Sequence, residues 1–350
     1  MTTLGEIAEM AGVSKGTVSN VLNGRNREIW PGTIARAEHI RSIAAHMGYR
    51  PNGAARAIRR GSFESVALIT AAEGSTRSML SRRVLDAIHD ELIERNCRLT
   101  FARCSDRQLV HEADLPKTLR ELHSDGVLLN YNKTVPQPLV ELLHRFNVPS
   151  IWINAKMGSD CVFLGDREAG RLAARQLLAA GHCRIGYLTA TYPEPHAGES
   201  AHYSEIDRRD GCVDEVVAVG FTPRVLDRSD LGGEHFNELH MDLLRKLLRR
   251  DDRPTGFVCY GLTAANLLAF ACLQVGIDFP RELSAVVVHS GSARHCLEYS
   301  TVSANETELG RRAIDLLFQK IETPDRQLEP VCIPPLETIR GETVFPPQAR

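Results

Sequence analysis

The stretch from Leu4 to Asn23, LGEIAEMAGVSKGTVSNVLN, constrains the fold more than any other part of this chain. Apolar residues fall at Leu4, Ile7, Ala8 and Ala11 and again at Val18, Val21 and Leu22, the spacing with which a helix buries one face. Thr3 followed by Glu6 forms a capping-box start for a first helix, and Ser14 stands where a second helix needs its N-cap. Ala11-Gly12-Val13 supplies a short glycine-containing turn, so the pattern reads as a helix-turn-helix. A helical hairpin can also be a plain packing unit. What favours a DNA reader is the other face of the second helix, where Ser14, Lys15, Gly16, Thr17, Ser19, Asn20 and Asn23 are small, polar or basic. Such a face can enter a major groove, with Lys15 and Asn20 reaching base edges and the hydroxyls reaching phosphates.

A chain of 350 residues is too long for one such module and predicts two or three domains, with 43% hydrophobic residues to build a large core elsewhere. The formal charge of −2 argues by itself against a polyanion partner, but its distribution does not. Residues 1–62 hold nine Lys/Arg against four Asp/Glu, while the remainder holds 33 against 40. A basic end on an acidic body is the asymmetry of a protein that meets nucleic acid at one end. Nine cysteines (97, 104, 161, 183, 212, 259, 272, 296 and 332) are scattered singly, none in CxxC spacing. They read as buried free thiols of a reducing compartment rather than disulfides or a metal site. With no signal segment and no apolar run of membrane-spanning length, a soluble cytoplasmic protein is expected, associated with the bacterial nucleoid if it binds DNA.

After the hairpin, a loop from Gly24 to Gly32 closes on Trp30-Pro31, and Thr33 is placed to cap a third helix running to about Met47. Ile34, Ala37, Ile40, Ile43, Ala44 and Met47 share one face of it. Then comes YRPNGAARAIRRG, Tyr49 to Gly61, which on its own reads equally as a solvated basic linker. Together with GVSKGTVSNVLNG and GYRPN upstream, it resembles the N-terminal domain and hinge of the LacI (lac and galactose repressor) family of bacterial transcription regulators. The resemblance implies that Asn52 to Arg59 forms a hinge helix on operator DNA. It places Asn52 and Arg56 at DNA and Ile58 as the minor-groove wedge, a role that suits an apolar side chain on a basic helix. Gly53 departs from the pattern and costs helix stability, on the order of 1 kcal/mol against Ala.

From Ser65 short apolar runs alternate with helical patterns: Val66 to Ile69, Arg98 to Ala102, Gly126 to Leu129, Ser150 to Ile153, Val162 to Leu164, Arg184 to Thr189, Phe257 to Tyr260 and Ala285 to Val288. Intervening helices are expected near Leu115 to His123, Leu139 to Phe146, Asp166 to Ala180, Ser204 to Val219, Glu234 to Arg250 and Thr263 to Val275. Alternation of this kind means βαβ units and parallel sheets, here in two tandem halves with a cleft between them. The body also resembles the family, through Glu168-Ala169-Gly170, Gly181-His182, Arg208 three before Gly211, and Leu309 to Ala313. The expected fold is therefore an all-α helix-turn-helix N-terminal domain plus an α/β two-lobed effector domain like the periplasmic binding proteins. The expected boundaries are 1–49 for the DNA-binding domain, 50–62 for the hinge and 63–350 for the effector-binding and dimerisation domain. Within the last, one lobe spans about 63–159 and 292–322, the other 160–291 and 323–345.

The resemblance implies that Arg208 holds the effector, with Leu262 and Ser290 beside it. A guanidinium suits hydroxyls or carboxylates. Gly165-Asp166, Gly261-Leu262 and Ser290 stand where sugar-binding members carry Asp-Asn, Asn-Asp and Asp. Without those carboxylates the pocket is not polyol-specific, and a less polar effector, an anionic one or none remains open. Tyr192 to Tyr203 is a long loop whose His196 and His202 suit a metal or an anion, or simply a solvated turn. Neither GxSxG nor a Gly-rich phosphate loop is present, so neither catalysis nor a cofactor or metal is expected. The sequence thus predicts a homodimeric regulator, a repressor on the resemblance, that binds a near-palindromic double-stranded operator under control of a small molecule. An effector-independent regulator, or a small-molecule binding protein or enzyme on the same fold, is the alternative.

Overall fold

A computed structural model of the chain describes residues 2–24, 29–50, 57, 61–72, 78–109, 123–132, 135–189, 201–226, 236–289, 297–336 and 338–348. The chain forms two compact units, 1–63 and 64–350. In the first, α1 (Leu4–Met10), α2 (Lys15–Leu22) and α3 (Pro31–His46) enclose a core of Ile7, Ala8, Val18, Val21, Ala37, Ile40, Ile43 and Ala44. The third helix starts two residues before its expected cap. Proline at the first helical position has the right fixed φ and no N–H to lose, so Pro31 opens the helix. Thr33 sits one turn in, its Oγ1 accepting from the Trp30 N–H at 3.1 Å and donating to the Trp30 carbonyl at 2.7 Å. Ile34, expected on the buried face, is more than a third exposed.

The second unit holds two six-stranded sheets. The first is built from β1 (Ser65–Ala71), β2 (Arg98–Cys104), β3 (Gly126–Asn130), β4 (Ser150–Ile153), β5 (Cys161–Leu164) and β11 (Val331–Ile333), in the order β11-β5-β4-β3-β1-β2. Every pairing in it is parallel. The second combines β6 (Ile185–Leu188), β7 (Arg224–Leu226), β8 (Gly256–Cys259), β9 (Ser284–His289), β10 (Ser300–Ser303) and β12 (Thr338–Ile339), in the order β12-β10-β9-β8-β6-β7. Only β12 runs antiparallel, against β10. Parallel strands covered on both faces read as continuous apolar runs, and β1 is buried at all seven positions. Helices α4 (Arg82–Glu94), α5 (Gln137–Arg145) and α10 (Glu306–Glu322) belong to the first lobe, with α10 packed on α4 and on β3, β4 and β5. The second lobe carries α6 (Asp166–Ala179), α7 (Tyr203–Ala218), α8 (Phe236–Leu248) and α9 (Leu262–Val275).

The expected lobe limits need correcting at three places. Residues 161–164 and 331–333, assigned above to the second lobe, are strands of the first, because β5 pairs with β4 and with β11 and buries Val162, Leu164 and Ile333 in the first lobe's core. Residues 300–303, assigned to the first lobe, pair with β9 and bury Val302 in the second. The chain therefore crosses between lobes after β5, after β10 and after β11. The crossings are tied together: the Gly165 N–H donates to the Ile333 carbonyl at 2.7 Å, and the Leu336 N–H to the Ser303 carbonyl at 2.8 Å. The helix expected at Leu115 to His123 lies outside the described residues up to position 122. Among the described residues no helix is long and apolar enough to cross a membrane.

Candidate nucleic-acid interface and interlobe cleft

The start of the chain presents α2 by local means. Thr3 Oγ1 accepts from the Glu6 N–H at 3.3 Å while the Thr3 N–H donates to Glu6 Oε2 at 2.7 Å, closing the capping box on α1. Gly12 turns the chain at φ +63°, a conformation that glycine adopts freely. Ser14 then caps α2, its Oγ accepting from the Thr17 N–H at 3.1 Å. With Val18 and Val21 buried in the three-helix core, Ser14, Lys15, Gly16 and Asn20 stand exposed, and Thr17, Ser19 and Asn23 are half-buried. Asn23 is spent within the protein: its Nδ2 donates to the Ser19 carbonyl at 2.6 Å and to Ser19 Oγ at 3.2 Å, closing the end of α2. Ile29 and Trp30 are about 70% exposed beside the start of α3. Asn52, Arg56 and Ile58 lie outside the described residues; between Asn52 and Arg59 only Ala57 is described, in helical conformation.

In the second unit, a cleft of about 580 Å³ opens beyond the carboxyl ends of strands of both sheets, where ligands bind in open α/β folds. Its second-lobe wall depends on how α6 and α7 cross. The two helices approach so closely that a Cβ on Gly170 would lie 2.1 Å from the Arg208 carbonyl oxygen, and one on Gly211 1.9 Å from that of Arg167. The crossing seats Arg208, on α7, against Asp166 in the first turn of α6. Arg208 Nε donates to Asp166 Oδ1 at 2.5 Å, and Nη1 donates to the carbonyls of Tyr260 at 2.8 Å and Val288 at 3.4 Å. The guanidinium carbon also lies 4.7 Å from the centre of the Tyr260 ring. Burial works against the charge on Arg208, but the Asp166 carboxylate and Tyr260 outweigh it and raise its pKa above the ordinary arginine range. Gly211→Ala is expected to force the helices apart and destabilise the protein by about 1 to 3 kcal/mol or more. Urea unfolding measures it, and an unchanged midpoint would refute the close crossing.

A hydrogen-bonded chain continues the wall. His202 Nε2 donates to the Asn154 carbonyl at 2.9 Å, and Nδ1 is hydrogen-bonded to Ser204 Oγ at 2.7 Å. Ser204 Oγ is also hydrogen-bonded to the Tyr260 hydroxyl at 2.8 Å, and burial pushes that phenol's pKa up. His202, considered above for a metal or anion, thus has both ring nitrogens engaged by protein, and His196 lies outside the described residues. The opposite wall combines an apolar strip, Leu80, Val84, Leu164, Ala304 and Leu309, with the polar side chains of Ser81, Arg83, Asn132 and Glu306.

The structure brings Arg208 into the cleft. It does not bring Leu262, whose side chain packs on the second-lobe core cluster while its neighbours Tyr260, Gly261 and Thr263 line the cavity. Leu262, at the first position of α9, is half-buried against that core and is absent from the lining of the cleft, which corrects its placement as a contact residue. Ser290 follows His289, which lines the cleft, but itself lies outside the described residues. Asp166, Ser204 and Tyr260 went unmarked as site residues. Tyr260, at the end of a predicted strand, was the most findable.

Two family models match the chain: residues 3–52 match the bacterial regulatory proteins of the lacI family, and residues 174–344 the periplasmic binding protein-like domain. The ribose operon repressor of Haemophilus influenzae is 25% identical over 95% of this chain and 97% of its own length. The HTH-type transcriptional repressor PurR of Actinobacillus pleuropneumoniae is 22% identical over 95% of both. Among solved structures, the lac repressor dimer bound to operator and the anti-inducer ONPF aligns with a TM-score of 0.74 at 17% identity, over 98% of this chain and 99% of that one. This last likeness is one of fold.

Proposed function

We propose a function from the premise that this chain belongs to the lacI family of bacterial regulatory proteins: it is a sequence-specific DNA-binding transcription repressor. Its affinity for DNA is set by a small molecule held in the interlobe cleft. The observation that carries this reading is the exposed polar face of α2, held off a three-helix core by capped helix ends, in a chain whose second unit holds a cleft of ligand size. Ser14, Lys15, Gly16, Thr17, Ser19 and Asn20 form the reading face. Asn23 supports it by closing α2, and Asn52, Arg56 and Ile58 serve the hinge. The relatives are named as repressors, which favours regulation over catalysis. The protein acts as a homodimer in the cytoplasm, and two-fold symmetry then requires a near-palindromic operator. The two activities are linked thermodynamically: an effector changes operator affinity only by its differential affinity for the DNA-competent and incompetent forms.

Selection of bound duplexes from a randomised pool by the full-length protein tests the reading. A two-fold symmetric sequence is expected to be enriched. A pool that stays random after several rounds overturns it.

A further inference from the structure

We infer that the cleft takes an uncharged, mostly apolar effector carrying a hydroxyl or carbonyl acceptor, and that Asp166 sets this preference by occupying Arg208. The inference rests on the reading that the cleft holds an effector. It follows from what the guanidinium has left to offer. A carboxylate is captured by two parallel N–H groups along one edge of an arginine. Here the Nε edge is already taken by Asp166 Oδ1, and Nη1 by the Tyr260 and Val288 carbonyls. Only Nη2 is without a protein hydrogen bond among the described residues, so a ligand acceptor meets a single nitrogen and no carboxylate fork across two of them is available. The second oxygen of Asp166, Oδ2, is buried without a hydrogen bond, and its charge repels an incoming anion.

The remaining lining agrees. Its ionised arginines and carboxylates balance, with Arg82, Arg83 and Arg208 against Asp166, Glu205 and Glu306, so no net field draws an anion in. Arg82 is moreover at the exposed mouth and paired with Asp86 at 3.3 Å. The hydroxyls of Ser204 and Tyr260 are already engaged with each other and, through Ser204, with His202. A polyol, which needs donors and acceptors all around its ring, would have to cover the apolar strip of Leu80, Val84, Leu164, Ala304 and Leu309, which offers none.

The test compares 2-naphthol, protonated at neutral pH like other phenols, with 2-naphthoate, which has the same body and a negative charge, and with D-ribose. Calorimetric titration of the full-length protein is expected to show 2-naphthol binding at least tenfold tighter than either of the others. Asp166→Asn, which removes the carboxylate charge beside the guanidinium and leaves its positive charge uncompensated, is expected to reverse the order of 2-naphthol and 2-naphthoate. Gly261→Phe places a ring in the cleft from a position where an added Cβ meets nothing within 4 Å, and is expected to abolish binding. Tighter binding of naphthoate or ribose to the wild type, or no binding of 2-naphthol, overturns the inference on effector class while leaving the cleft reading standing. A probe bound equally by wild type and Gly261→Phe counts against the cleft itself. An unreversed order in folded Asp166→Asn removes Asp166 from the explanation. Where that variant does not fold, Asp166→Glu keeps the charge and must keep the wild-type order, a reversal there having the same meaning.

Discussion

Asp166→Ala is expected to destabilise the second unit by about 3 to 5 kcal/mol, the range for removing one partner of a buried ion pair. Asp166 is 2% and Arg208 12% exposed, so the guanidinium left behind regains little water. Its two carbonyl partners satisfy hydrogens but do not neutralise the charge. Replacing both residues, Asp166→Leu with Arg208→Met, is expected to recover most of the loss, because well-packed apolar side chains do without the desolvation of two ions. Urea unfolding of the two variants beside wild type decides the matter. A single-variant loss below about 1 kcal/mol would mean that the pair is solvated in practice, contrary to its burial. If the double variant is as stable as the wild type but no longer binds any ligand in the cleft, the pair is kept for recognition and not for folding. Such a pair, with one carboxylate oxygen unpaired, is otherwise a poor way to stabilise a helix crossing.

The same pair shows where the sequence stops being legible. The hairpin at the start was readable because its determinants lie within a few residues of one another: Thr3 with Glu6, Gly12 at the turn, Ser14 with Thr17. The α/β alternation was readable for the same reason, since buried parallel strands declare themselves as apolar runs. Asp166 meets its partner 42 residues later, through a helix crossing set by two glycines, and no local pattern announces that contact. Read against the family pattern, Gly165-Asp166 was only a lost Asp-Asn. The lobe limits failed for a related reason. β5, β10 and β11 are three or four residues long, and which sheet each joins is decided by partners far away in sequence. Leu262 was placed by motif position, yet one residue of helix rotation separates a lining residue from a core one.

Asn20→Ala is expected to relax base choice at one position in each half of the operator, by about 1 to 3 kcal/mol per half-site, or roughly 5- to 150-fold. Asn20 is exposed on the polar face of α2, and its carboxamide makes no hydrogen bond to the rest of the protein among the described residues. Asn23, one turn on, has the same chemistry but its amide is committed to the Ser19 carbonyl and hydroxyl. The two asparagines therefore make an internal control. Asn carboxamides pair in bidentate fashion with the N6 and N7 edge of adenine, so the wild type should require adenine at the position Asn20 reaches, and Asn20→Ala should tolerate any base there. Asn23→Ala should leave base preference unchanged and lower stability by the worth of a helix-end hydrogen bond, about 0.5 to 1.5 kcal/mol. Sequencing the duplexes that each variant retains from the randomised pool reads both outcomes at once. An adenine requirement that survives in Asn20→Ala, or disappears in Asn23→Ala, would move base reading away from Asn20 and redraw the face of α2 that enters the groove.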